Sequence, residues 1–228
     1  MTNIDQMVNT IEAEVRYTSH LIGKRHLENK VIHAMREVPR DKFVSSYNKP
    51  FAYDDTPLPI GHGQTLSQPY MVALMTDLLQ PETNHTMLEI GTGCGYQTAV
   101  LSRLIKQVYS IEIIPELSKQ ASKTLSELGY LNIELQLSDG YYGWPEHAPY
   151  DGIIVTAAAS HFPQPLIDQL KPGAKLIIPI GLPNLHQELF VVEKDQDGNT
   201  SSRSILGVAF VPLTGENLAY EAGNENDW

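Results

Sequence analysis

Ile4, Met7, Val8, Ile11 and Val15 fall on one face of a 3.6-residue repeat, which predicts a helix over residues 3–22. A second helix is predicted over 26–38, where Val31, Ile32, Met35 and Val38 share a face and Pro39 stops the run. Neither carries chemistry on its face, so both read as a helical cap. Residues 48–63 break the periodicity with Pro, Gly, Asp and aromatics, and read as an ordered loop without a regular element. An apolar helix follows over 70–79. From residue 87 the pattern becomes short apolar runs alternating with helical stretches. Strands are predicted at 87–90, 107–113, 132–137, 150–156 and 175–180. Helices are predicted after Gly95, over 115–128 and over 164–170. Pro115 suits a first helical turn, Gly129 a helix end, and Lys171-Pro172-Gly173 reads as a helix stop.

This alternation predicts an α/β, doubly wound, mostly parallel sheet. The runs 188–194 and 203–211 flank Asp195-Gln196-Asp197-Gly198-Asn199 and predict a C-terminal antiparallel hairpin. No repeat or linker divides the chain. Residues 1–215 therefore read as one domain, with 1–69 a helical cap and loop and 70–215 the α/β core. Residues 216–228 read as a polar, acidic tail.

Composition narrows the partners. A formal charge of −11 over 228 residues opposes nucleic acid, whose binding rests on clustered Lys and Arg. The apolar runs are strand-sized, so no membrane span is expected, and the N-terminus has no signal-peptide pattern. Cys94, the single cysteine, fits a reducing compartment, and the expected location is the cytoplasm. The eight histidines show no ligand spacing, so no metal site is expected.

The candidate chemistry centres on residues 87–97, MLEIGTGCGYQ: a buried strand, the turn Gly91-Thr92-Gly93-Cys94-Gly95, then a helix. Glycines there let the backbone bend and let a ligand approach where a Cβ would collide. Glu112 ends the next strand, 21 residues after Gly91, close to the spacing at which a carboxylate takes ribose hydroxyls. A dinucleotide fingerprint would put its third glycine at 96, where this chain has Tyr96. Glu89, just before the turn, would repel a pyrophosphate and suit a cationic sulfonium. Glu-x-Gly-x-Gly-x-Gly closely resembles the S-adenosylmethionine loop of doubly wound methyltransferases, in which Asp139-Gly140 would fall at the adenine. By local spacing alone, Ser67, two residues before Pro69, reads as a helix N-cap.

Further stretches carry a narrower resemblance: Val38 through Val44 (VPRDKFV), Leu58-Pro59-Ile60-Gly61 through Gln64-Thr65-Leu66-Ser67-Gln68-Pro69, Ile154-Val155-Thr156-Ala157-Ala158 and Val211-Pro212-Leu213. Together they are similar to the protein-L-isoaspartate O-methyltransferases, over nearly the whole chain to about Thr214. The resemblance implies a Rossmann-like methyltransferase fold and S-adenosyl-L-methionine as cofactor. It implies methylation of the free α-carboxylate of L-isoaspartyl residues in damaged proteins and peptides, by a cytosolic monomer. At matching positions Ser67 is the active-site serine, and Gln64, Thr65, Gly91, Thr92, Gly93, Gly95, Glu112, Asp139, Gly140 and Thr214 are cofactor contacts. The chain departs from the bacterial pattern at Ile113 and Ala209, where arginines are common, and at Ser138, where glycine is. Two rival readings are a methyltransferase with another carboxylate or small-molecule acceptor, and a non-catalytic adaptor that recognises isoaspartyl ends.

Overall fold

The N-terminal amphipathic run forms two helices instead of one, α1 (Asn3–Tyr17) and α2 (Ser19–Ile22). A Thr2–Asp5 capping box opens α1. It breaks at Thr18, whose hydroxyl donates to the Glu14 carbonyl at 2.8 Å and also meets the Tyr70 hydroxyl at 2.6 Å. Such side-chain-to-backbone bonding competes with helix continuation. α3 (Asn29–Glu37) buries Val31, Ala34 and Met35. The computed structural model describes residues 2–183 and 185–215, so the tail expected at 216–228 lies outside the described residues.

The expected loop at 48–63 contains a strand. β1 (Leu58–Gly61) pairs antiparallel with β2 (Gln64–Leu66) through a turn in which Gly61, His62 and Gly63 all have positive φ. Strands this short leave no periodicity to read, and Pro59 argues against a strand except in an edge ribbon such as this one. α4 (Pro69–Leu78) follows, and all ten of its residues are buried. Its N-cap is Gln68, not Ser67; the Tyr70 N–H is capped from a distance by Asp55 Oδ1 at 2.9 Å.

The core then runs β3 (Thr86–Ile90), α5 (Tyr96–Ser102), β4 (Gln107–Glu112), α6 (Pro115–Glu127), β5 (Ile133–Leu137), β6 (Tyr150–Val155), α7 (Gln164–Asp168), β7 (Leu170–Ile180), β8 (Gln187–Lys194) and β9 (Thr200–Val208). These strands form a seven-stranded sheet in the order β5-β4-β3-β6-β7-β8-β9, parallel through β7, with β8–β9 the expected antiparallel hairpin. Lys171-Pro172-Gly173 is not a helix stop. It lies in the irregular first half of β7, where register slips between Tyr150↔Leu170 and Gly152↔Lys175. Val211, expected in the hairpin, lies beyond β9.

Alternation along the strands divides the core between two faces. Met87, Ile154, Ile177 and Val191 pack with the cap helices and α5, whereas Leu88, Ile153, Val155, Leu176 and Ile178 pack with Leu166 of α7. β3 leads outward to β4, and β6 leads the other way to β7. The carboxyl ends of β3 and β6 therefore flank the topological switch point, where open α/β sheets bind ligands. After β9 the chain returns to this edge. The Ala158 N–H donates to Val211 O and the Leu213 N–H to Ala158 O, both at 2.8 Å.

Candidate active site

The turn after β3 is held from below. The Gly91 and Thr92 N–H groups donate to Ile111 O at 2.8 and 3.1 Å. Gly91 has φ +94, and a Cβ there would stand 2.5 Å from Thr156 Oγ1, which itself donates to Gly91 O at 2.7 Å. Only glycine fits a position with both constraints. Glu112, at the end of β4, is 6% exposed; its Oε2 accepts from the Gly93 N–H at 2.7 Å, and its Oε1 from those of Ile113 and Ile114 at 3.0 Å. Three backbone donors fix the carboxylate at the mouth of the switch point.

A cleft opens over this point. Gln64, Thr65, Gly91, Gly93, Glu112, Gly140 and Thr214 all line it. Three other candidates lie elsewhere. Thr92 is buried, with its hydroxyl 2.6 Å from Ser110 Oγ. Gly95, at φ +90, caps α5 and packs against Leu125. Asp139 accepts from the Tyr141 N–H at 2.9 Å, with its carboxylate against Gly215. The lining also includes Ile60 of the β1–β2 ribbon, Thr156 and residues 211–213. Sequence reading did not assign these to the site. All had a signal, since Ile60, Thr156 and Val211–Leu213 lie in stretches that carry the family resemblance, but the resemblance did not say which of their residues face the cleft.

Glu89 does not face this cleft. It is fully buried beneath the turn, where Oε2 accepts from Thr98 Oγ1 at 2.5 Å and Ser110 Oγ at 2.7 Å, while Oε1 has no partner. Burial raises its pKa to about 8, against the two hydroxyl bonds that lower it. A group mostly neutral at pH 7 and turned away from the cleft does not supply the expected repulsion of a pyrophosphate. Cys94 is buried and its thiol is pushed up to about 11 by burial, consistent with a packing role and not a nucleophilic one.

Ser67 lies beside a second cleft, walled by Glu14 and Thr18 of the cap, Gln68 with Tyr70 and Met71 of α4, and residues 206–210. Thr65 lines both clefts, so the two adjoin along β2. Among the described residues the Ser67 hydroxyl has no hydrogen-bond partner, and the second cleft's walls carry no lysine or arginine. Ala209 is one of those walls. Nearby, Tyr141 pairs with His161, and Trp144 packs on Tyr109 and His147.

The chain and its fold have close counterparts in known proteins. The family model for protein-L-isoaspartate(D-aspartate) O-methyltransferase matches residues 16–218. The protein-L-isoaspartate O-methyltransferase 2 of Syntrophobacter fumaroxidans is 55% identical over 210 residues, covering 92% of this chain and 85% of that protein. The Nitrosococcus oceani protein of the same name is 55% identical over 211 residues, 92% and 96% of the two. A solved protein-L-isoaspartate O-methyltransferase superposes with a TM-score of 0.78 at 28% identity, over 91% of this chain and 66% of that one. A Plasmodium falciparum chain assigned to the same activity, solved with S-adenosyl-L-homocysteine, matches in fold with a TM-score of 0.76 at 24% identity, over 94% and 99%. The chain belongs to the protein-L-isoaspartate(D-aspartate) O-methyltransferase family.

Proposed function

We propose that this chain transfers a methyl group from S-adenosyl-L-methionine to the free α-carboxylate of L-isoaspartyl residues in damaged proteins and peptides. The observation that carries the reading is the pair of clefts meeting at Thr65, one walled by the glycine turn and Glu112, the other by Ser67. The first fits a ribose-bearing ligand: a carboxylate pinned by three N–H groups, with Ile113, Ile114 and the side-chain-free Gly140 in the same lining. When bound, S-adenosyl-L-methionine supplies an electrophilic methyl group.

The acceptor needs no general base. A peptide α-carboxyl has a pKa of about 3.5, so it is already ionised at neutral pH. The chain's own task is to align the acceptor oxygen and exclude water. Ser67 is the catalytic residue in this reading. Its unpaired hydroxyl donates one hydrogen bond to the carboxylate, enough to hold it in line without the over-stabilisation a full cation would bring. Gln64, Thr65, Gly91, Gly93, Glu112, Gly140 and Thr214 hold the cofactor, with Thr92, Gly95 and Asp139 adjoining them in sequence in the same turn and loop. The working unit is a cytoplasmic monomer without a nucleic-acid or membrane partner. Its net charge of −11 and single buried cysteine favour that assignment, and no helix among the described residues is long and apolar enough to cross a membrane.

The test offers labelled S-adenosyl-L-methionine with isoaspartyl and aspartyl versions of one peptide. Base-labile label in the isoaspartyl peptide alone is expected. Equal labelling of both, or of neither, overturns the reading and leaves a different acceptor or a non-catalytic binder.

A further inference from the structure

Arg40 is fully buried in the 3₁₀ turn Arg40–Lys42 that follows α3. Its Nε donates to Ala52 O at 2.8 Å and its Nη2 to Ser67 O at 2.7 Å, while Nη1 has no hydrogen-bond partner. The guanidinium carbon also lies 4.8 Å from the ring centroid of Tyr96, the first residue of α5 after the glycine turn. No carboxylate forms a salt bridge with this cation among the described residues. An interior arginine without an ionic partner is expensive, so burial alone does not explain it. What it does touch is specific: one edge lies on the carbonyl of the serine segment and one face lies on the ring that closes the cofactor turn.

We infer that Arg40 is a positioning residue for methyl transfer, fixing the Ser67–Gln68 peptide against the glycine turn so that this peptide presents its donors to the acceptor carboxylate. The inference rests on the function proposed above. In a trans peptide the C=O and N–H point in opposite directions, so a Ser67 carbonyl turned onto Arg40 turns the Gln68 N–H away from it. Gln68 and Ser67 both line the second cleft, and that N–H has no partner among the described residues. A charged donor on the carbonyl also polarises the amide and strengthens its N–H as a donor. Asp55 steadies the other side of the same segment, accepting from Gln68 Nε2 at 2.6 Å and from the Tyr70 N–H. Lysine could keep the charge but not the fork, because one ammonium cannot match two carbonyls and a stacked ring with the same planar geometry.

The test compares wild type with Arg40→Lys and Arg40→Met for kcat and KM on an isoaspartyl peptide, alongside calorimetric binding of S-adenosyl-L-homocysteine. Expected is a loss of about 100-fold in kcat/KM, the scale of a small misplacement of a reacting group, mostly in kcat. Affinity for S-adenosyl-L-homocysteine should stay within about threefold, which a general collapse of the site would not allow. Introducing Arg40→Lys into Ser67→Ala should reduce turnover little further, because both act on one donor set. A folded Arg40 variant within about twofold of wild type in kcat/KM overturns the inference, as does parallel loss of nucleoside binding. If neither variant folds, the slowly exchanging side-chain Nε–H resonance of Arg40 in the wild type decides. It should move when the isoaspartyl peptide is added to the S-adenosyl-L-homocysteine complex and stay still with the aspartyl twin; no movement overturns the inference. Inactivity of the wild type itself would instead sink the proposed function.

Discussion

Ser67 and Glu112 stand on the two sides of the proposed work, one a donor to the acceptor peptide and the other an acceptor for the nucleoside. Ser67→Ala should lower turnover roughly 10- to 1,000-fold, the range for a single positioning donor, with folding and nucleoside affinity little changed. Near-normal turnover would remove Ser67 from the mechanism. Glu112→Ala should weaken S-adenosyl-L-homocysteine binding by about 1–3 kcal/mol, since it removes an acceptor and frees the Gly93 N–H. Calorimetry decides that. Glu89 gives a pH test. Its folded pKa of about 8 stands above the 4.5 of an ordinary glutamate, so its contribution is fully present below pH 4.5 and is lost as pH rises through 8. Each pH unit between those limits is worth about 1.4 kcal/mol at most. Urea unfolding should therefore show Glu89→Gln gaining on wild type between pH 6 and pH 9; parallel pH curves would contradict a buried neutral carboxyl. Gly91, Gly93 and Glu112 were legible because a turn and the next strand end are local features. Arg40, Ile60 and Ala209 fall in stretches that the family resemblance marks, but what each does depends on where distant segments meet, and no local pattern records that.

The turn after β3 works because its neighbours leave no room for anything larger. Gly91→Ala combines a positive φ with a 2.5 Å approach to Thr156 Oγ1, and should cost about 1–3 kcal/mol of stability. Adding Thr156→Ala should recover part of that by removing the clash but not the backbone strain. Denaturant midpoints of the two variants check it, and equal midpoints would mean the clash is absorbed elsewhere. The parallel core was readable because βαβ units repeat one strong pattern. The elements that escaped are those governed by tertiary partners: the α1–α2 break at Thr18, set by Tyr70; the β1–β2 ribbon, too short for periodicity; and the early start of β7, where Leu170 pairs with Tyr150.

Across the whole molecule, acidic charge should shape acceptor choice. With a net charge of −11, Glu14 on the second cleft and no lysine or arginine among its described walls, acidic isoaspartyl peptides are repelled at long range. Raising salt from low to physiological ionic strength should raise kcat/KM for an acidic peptide and lower it for a basic twin. The opposite trend would show that local contacts outweigh the overall field. The fold class was plain from the chain; the partition into two chambers was not, because it depends on residues 206–214 returning past both. Thr65, on a three-residue strand, lines both, so a synthetic ligand tethering an adenosine to an isoaspartyl dipeptide should reach across it and occupy both rooms at once. Its second half would bind at the high local concentration set by the tether, and such a compound should outcompete either half offered separately.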